Sequence, residues 1–176
     1  MCGIVAVVPR LPSRGAPDLA ELNDKASSAL TQLDSVGSTP EAQRLEGIAR
    51  ELADVNDALR GVPGVRAILD APGPAAELSA TCARIADHIA KVEAGLDEGG
   101  VTASELEAVN AALVAIKDSQ WAITRDRIPA AQAVSNLVGA NGSTGALAIA
   151  NAINIALDAV DRLEVRGRDS EAVDSV

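Results

Sequence analysis

Four residues at the two ends of the chain have types that could do chemistry: Cys2 and Gly3 at the start, Arg166 and Gly167 near the finish. A cysteine directly after the initiator methionine becomes, once Met1 is removed, a thiol beside a free α-amine. The thiolate is the reactive form of cysteine, and an α-amine with a pKa of about 7.7–8.0 can take the thiol proton near neutral pH. Such a residue combines nucleophile and base and needs no histidine partner. Gly3 leaves room for backbone to approach a substrate closely. Ile4, Val5, Val7 and Val8 form a short apolar run that reads as a buried strand. A plainer reading stands beside this one, in which Met1 is retained and Cys2 is a small buried apolar residue. Arg166 would then be an arginine favoured by a helix C-terminal dipole, and Gly167 a helix stop.

The sequence Met1-Cys2-Gly3-Ile4-Val5 resembles the start of the class II glutamine amidotransferases, which are N-terminal-nucleophile hydrolases. Leu163-Glu164-Val165-Arg166-Gly167-Arg168-Asp169-Ser170 is similar to the Leu-Glu-Tyr-Arg-Gly-Tyr-Asp-Ser motif of the branch that aminates fructose 6-phosphate. The resemblance implies that Cys2 attacks the side-chain amide of glutamine, giving a thioester and ammonia, and that Arg166 helps to hold the active-site loop. It implies a sugar phosphate as ammonia acceptor, and no metal or other cofactor for the glutamine step. Further C-terminal domains or a homo-oligomer are the implied partners.

The likeness covers only the two ends, which in that family lie close in sequence with one helix between them. The expected fold is therefore mainly α: a helical bundle inserted between the first strands of a truncated αββα amidotransferase domain. Residues 1–9 would be the first strand, 10–16 a linker, 17–160 the inserted bundle and 161–176 the return into the amidotransferase domain, with a strand beginning at Ser170. Glu171-Ala172 stand where that family usually has Ala-Gly, and Ala6 where glycine is common. The glutamine-binding Arg-Trp-Ala-Thr-His-Gly segment, the Asn-Gly pair of the oxyanion hole and the aspartate that holds the substrate amine are missing. Gln120-Trp121-Ala122-Ile123-Thr124 and Asn141-Gly142 look like two of these but come before Arg166, in the wrong order. Losing one oxyanion donor alone costs on the order of 10²–10³ in rate, so this chain by itself is not expected to be a working glutaminase. The competing expectation is a non-catalytic helical interaction or dimerisation module with relic amidotransferase ends.

Composition narrows the rest. Fifteen Lys and Arg against 25 Asp and Glu leave a net charge of −10, which disfavours nucleic acid and anionic membrane surfaces as partners. Two cysteines make no disulfide framework, no run approaches a membrane span, and no signal peptide is recognisable, so a cytoplasmic location is expected. His88 with Asp87 and Cys82 matches no metal-ligand spacing. Hydrophobic residues make up 48% of the chain and aromatics 1%, which favours helices packed closely through Ala, Leu, Val and Ile.

The apolar spacing places these helices. Leu19, Leu22, Ala26, Ala29, Leu33 and Val36 share one face, and Leu45, Ile48, Leu52, Val55, Leu59 and Val62 share the next, opened by Thr39-Pro40. The pair should form an antiparallel hairpin. Gly61 to Pro74, with three prolines and three glycines, has room for at most one helical turn. A third long helix runs from Pro74 to Leu96 on Leu78, Cys82, Ile85, Ile89, Val92 and Leu96. A capping box at Thr102-Ala103-Ser104-Glu105 starts a fourth, on Leu106, Val109, Leu113, Ile116 and Ile123, which Pro129 should kink or break. After a turn at Gly139–Ser143, Ile149, Ile153, Ala156, Val160 and Leu163 mark the expected buried face of the last helix.

Overall fold

A computed structural model describes residues 6–9, 11–37, 40–97 and 103–171, with the side chains of 97, 103–104 and 163–171 outside the description. Among the described residues there is no strand, and seven α-helices carry the fold: α1 (Leu19–Asp34), α2 (Ala42–Ala58), α3 (Gly61–Asp70), α4 (Pro72–Asp97), α5 (Ala103–Trp121), α6 (Ile128–Val138) and α7 (Thr144–Glu171). A π-helical stretch, Ala122–Arg127, joins α5 to α6 without a gap. Helices α1, α2, α4 and α5 pack as a four-helix group, and α3, α6 and α7 as a second group at one end, over a shared aliphatic core.

Local chemistry explains the beginnings. Asp18 caps α1 through its carboxylate, which accepts from the Ala20 amide at 2.8 Å, leaving Leu19, Leu22, Ala26, Ala29, Leu30 and Leu33 to bury the inner face. The α1–α2 hairpin forms as its spacing predicts. It is fastened by Gln32, whose amide donates to both Glu51 carboxylate oxygens at 3.0 Å, and by Arg44, which donates to the Gln32 carbonyl at 3.2 Å. His88 on α4 meets Asp34 of α1 at 2.7 Å, and Lys117 on α5 meets Glu93 of α4 at 2.8 Å, tying the α1–α4 and α4–α5 edges of the group.

Several sequence-based expectations are corrected. Ala6–Pro9 are not strand, and residues 1–5 lie outside the description, so no part of an αββα sandwich is found among the described residues. The α2 helix begins at Ala42, with Glu41 rather than Thr39 as the flanking residue. Gly61 to Pro74 is not a loop but holds α3, ten residues long, and the first turn of α4. Its prolines sit in first turns, where the missing amide is not needed. Gly61 enters with φ 68°, and Gly64 lets the first turn of α3 press against the Leu59 carbonyl, where a β-carbon would overlap backbone.

The last helix differs most. It does not stop near Gly167 but continues through Glu171, and residues 172–176 lie outside the description, so the expected strand from Ser170 is not seen. The face it buries is also not the expected one. Leu147, Ala150 and Asn154 pack inward, while Ile149, Ile153 and Val160 are exposed. The expected stripe is the more apolar face, but α3 and α6 take the other, and Arg66 of α3 donates to the carbonyls of Ala140 and Gly142 in the turn from which α7 departs.

Two glycines give a matched test. Gly64→Ala places a methyl against backbone and should destabilise by at least about 1–3 kcal/mol. Gly47→Ala, in the α2 interior with open space around it, should stabilise by about 0.5–1 kcal/mol. Urea denaturation followed by circular dichroism measures both.

Candidate functional site

Pro129 has no amide hydrogen to donate and its ring crowds the carbonyl one turn back, which in a regular helix forces a kink. Here the chain widens instead. The π stretch closes with the Ile128 amide donating to the Ile123 carbonyl, five residues back, and α6 resumes directly. Ile123 within it and Ala131 beyond it are both buried, and Ile128 packs against the core between them.

The wider turn projects Asp126 and Arg127 towards the junction of α2 and α3. Arg127 Nε donates to Asn56 Oδ1 at 2.9 Å, and Asn56 is itself buried at the end of α2. Partial burial lowers the Arg127 pKa from its ordinary value, the neighbouring Arg60 charge lowers it further, and Asp126 and Asp57 oppose the shift. Asp126 faces Arg162 of α7 at 3.7 Å. One turn earlier on α7, Asn154 donates to Asp158 at 3.2 Å. A cleft of about 330 Å³ lies between these groups, floored by Leu59, Gly61 and Val65 and walled by Arg127, Asp158 and Arg162.

The segment leading into α1 reaches the same corner. Arg14 donates to the Asp57 carbonyl at 3.2 Å and to the Arg60 carbonyl at 2.8 Å, adding a side-chain donor where α2 ends and α3 begins. The incoming segment and the outgoing helix thus converge on Asp57–Gly61, from opposite ends of the sequence.

Of the residues singled out from sequence, Cys2 and Gly3 lie outside the described residues. The backbone of Arg166 and Gly167 continues α7, with their side chains outside the description. Arg166 and Gly167 thus lie on the helix whose preceding turn carries Arg162. Gln120–Thr124 is helical, with the Thr124 hydroxyl donating to the Gln120 carbonyl at 3.0 Å, and Asn141-Gly142 is the turn before α7. Cys82 is fully buried and burial pushes its thiol up to about 12, so it stays protonated and inert. Among the described residues no group of His, Cys, Asp and Glu could hold a metal ion, and no helix is long and apolar enough to cross a membrane. The charged corner was missed in the sequence; the Arg125-Asp126-Arg127 cluster just before Pro129 is the signal that could have located it.

No known protein family, no curated protein and no solved structure matches this chain.

Replacing Asn56 by Leu leaves the half-buried Arg127 guanidinium without its acceptor and should cost about 1–3 kcal/mol in a denaturant titration. Asp126→Asn breaks only the long contact to the exposed Arg162 and should cost less than about 1 kcal/mol. Cys82 should resist a thiol reagent at pH 8 in the folded protein and react once denaturant is added. Because its folded pKa lies above that of the unfolded thiol, its contribution to stability is complete below about 9 and declines as pH climbs towards about 12.

Proposed function

We propose that this chain is the leading part of an N-terminal-nucleophile glutamine amidotransferase, interrupted by a helical domain between its Cys2 segment and its Arg166-Gly167 segment. The observation that carries this is the convergence on one corner: Arg14 holds the Asp57 and Arg60 carbonyls while Arg162 borders the cleft floored by Leu59 and Gly61. A domain inserted between two neighbouring elements of another fold must receive and return the chain at nearly one point, as insertions between nearby termini do. The two amidotransferase-like motifs flank the helical domain, one on either side.

In this reading the Cys2 α-amine takes the thiol proton, the sulfur adds to the glutamine side-chain carbonyl, and the amine returns that proton to the amide nitrogen, so that the C–N bond breaks to release ammonia and leave a thioester that water then hydrolyses to glutamate and the free thiol. The released ammonia aminates a sugar phosphate, the acceptor that the Asp169-Ser170 ending favours. Oxyanion donors would come from beyond this chain's motifs. The helix must also end near Gly167 when the rest of the enzyme is in place. A glycine inside a helix costs about 1 kcal/mol relative to alanine, so that turn is the one most readily given up.

A second reading is favoured by the exposed apolar face of α7: a non-catalytic helical module that works by association. N-terminal mass and labelling separate the two. The first reading expects Met1 to be removed and a glutamine-like electrophile to modify Cys2, with Cys2→Ala abolishing the label. Retention of Met1, or labelling that survives Cys2→Ala, contradicts it.

A further inference from the structure

Helix α7 is anchored on one side only. Leu147, Ala150 and Asn154 face α3 and α6, whereas Ile149, Ile153, Leu157 and Val160 are 55%, 47%, 56% and 53% exposed. Successive turns bring these four together in a stripe about 17 Å long. Adding Ala146 and Ala156, the spacing is three, four, three, four from 146 to 160, the heptad rhythm in which one helix offers knobs and holes to another of the same pattern. Leu157 broadens the stripe beyond a narrow two-position seam.

We infer that this face is the contact between two copies of the chain, α7 packed on α7. Charge is the first argument for a second copy as the occupant. Thr144 to Leu157 contains no Asp, Glu, Lys or Arg in a chain that is 23% charged and carries a net charge of −10. Two copies repel through most faces, and along this stretch, which covers the stripe as far as Leu157 and stops short of Val160 between Asp158 and Asp161, they approach with no like charges opposed. Self-complementarity is the second. A heptad stripe meets its own image across a two-fold axis, with each copy supplying the same patch. Area sets the strength. Four half-exposed aliphatic side chains make a patch of a few hundred Å², within the range of about 300–600 Å² for the largest patch on a monomer and below the roughly 800 Å² per partner of a standard stable interface. The dimer is therefore concentration-dependent rather than obligate. It does not depend on Cys2 being a nucleophile, and neither result bears on the other.

Sedimentation velocity of the full chain from low micromolar to several hundred micromolar, with Cys2→Ser to exclude disulfides, tests it. The expected result is a reversible shift from monomer to dimer. Ile153→Asp should weaken the dimer by at least about tenfold. Ile149→Ser with Val160→Ser should weaken it as well, and at low micromolar concentration, where parent and variants are all monomeric, both variants should keep the parent's thermal midpoint because the substituted residues are exposed. A sample that is monomeric at every concentration overturns the inference, as does a dimer that neither variant weakens.

Discussion

The fold depends on a core made without aromatic rings. Trp121 is the chain's only aromatic residue, and it stands half-exposed at the end of α5. Among the described residues everything fully buried except Cys82 is aliphatic, from Leu45, Ile48 and Leu52 on α2 to Leu113 and Ile116 on α5. Side chains of this size fill little space, so helices must approach closely to exclude water. Ala26 and Ala29, completely buried on α1, mark where the approach is closest in consequence. Gly64 takes the same device to its limit by bringing α3 onto the Leu59 carbonyl.

Close packing leaves little tolerance for a kinked rod, which gives the π stretch its place in the architecture. A sharp bend at Pro129 would pull α6 away from α3 and open the second helix group. Widening the helix by one residue keeps α5 and α6 continuous, keeps Ile123 and Ala131 both buried, and turns Asp126 and Arg127 towards the end of α2. A local solution to proline thus creates the polar joint. Asn56, Arg127, Asp126 and Arg162 link α2, the π stretch and α7, and Arg14 adds the incoming segment. The joint holds ion pairs and amide contacts but no nucleophile, so among the described residues its chemistry is positional.

Most of the first helix group was legible because its apolar positions repeat with a single period. The stripes of α1, α2, α4 and α5 bury nearly the residues that the spacing picks out, down to Cys82 and Ile89. Legibility failed where one signal stood for two physical situations. Proline breaks a helix interior but suits a first turn, so Pro63, Pro72 and Pro74 hid α3 and advanced α4. An apolar stripe marks burial within a chain or between chains, so the strongest stripe of α7 pointed to the wrong side. The charged corner draws Arg14, Asn56, Arg127 and Arg162 from four distant places, and no local pattern announces such a set. The candidate nucleophile was the opposite case, legible from two adjacent residue types while its surroundings lie outside the described structure.

The proposed insertion requires the segments carrying Arg14 and Arg162 to meet at one corner of the helical domain. Spin labels at Ser13→Cys and Asp161→Cys, in a Cys2→Ser background with Cys82 buried, allow that separation to be read by pulsed dipolar spectroscopy. A single narrow distribution at the short end of the measurable range is the predicted result. A long separation, or one spread across the whole range, would mean that the two segments depart from different places, and the helical domain would lose its standing as an insertion.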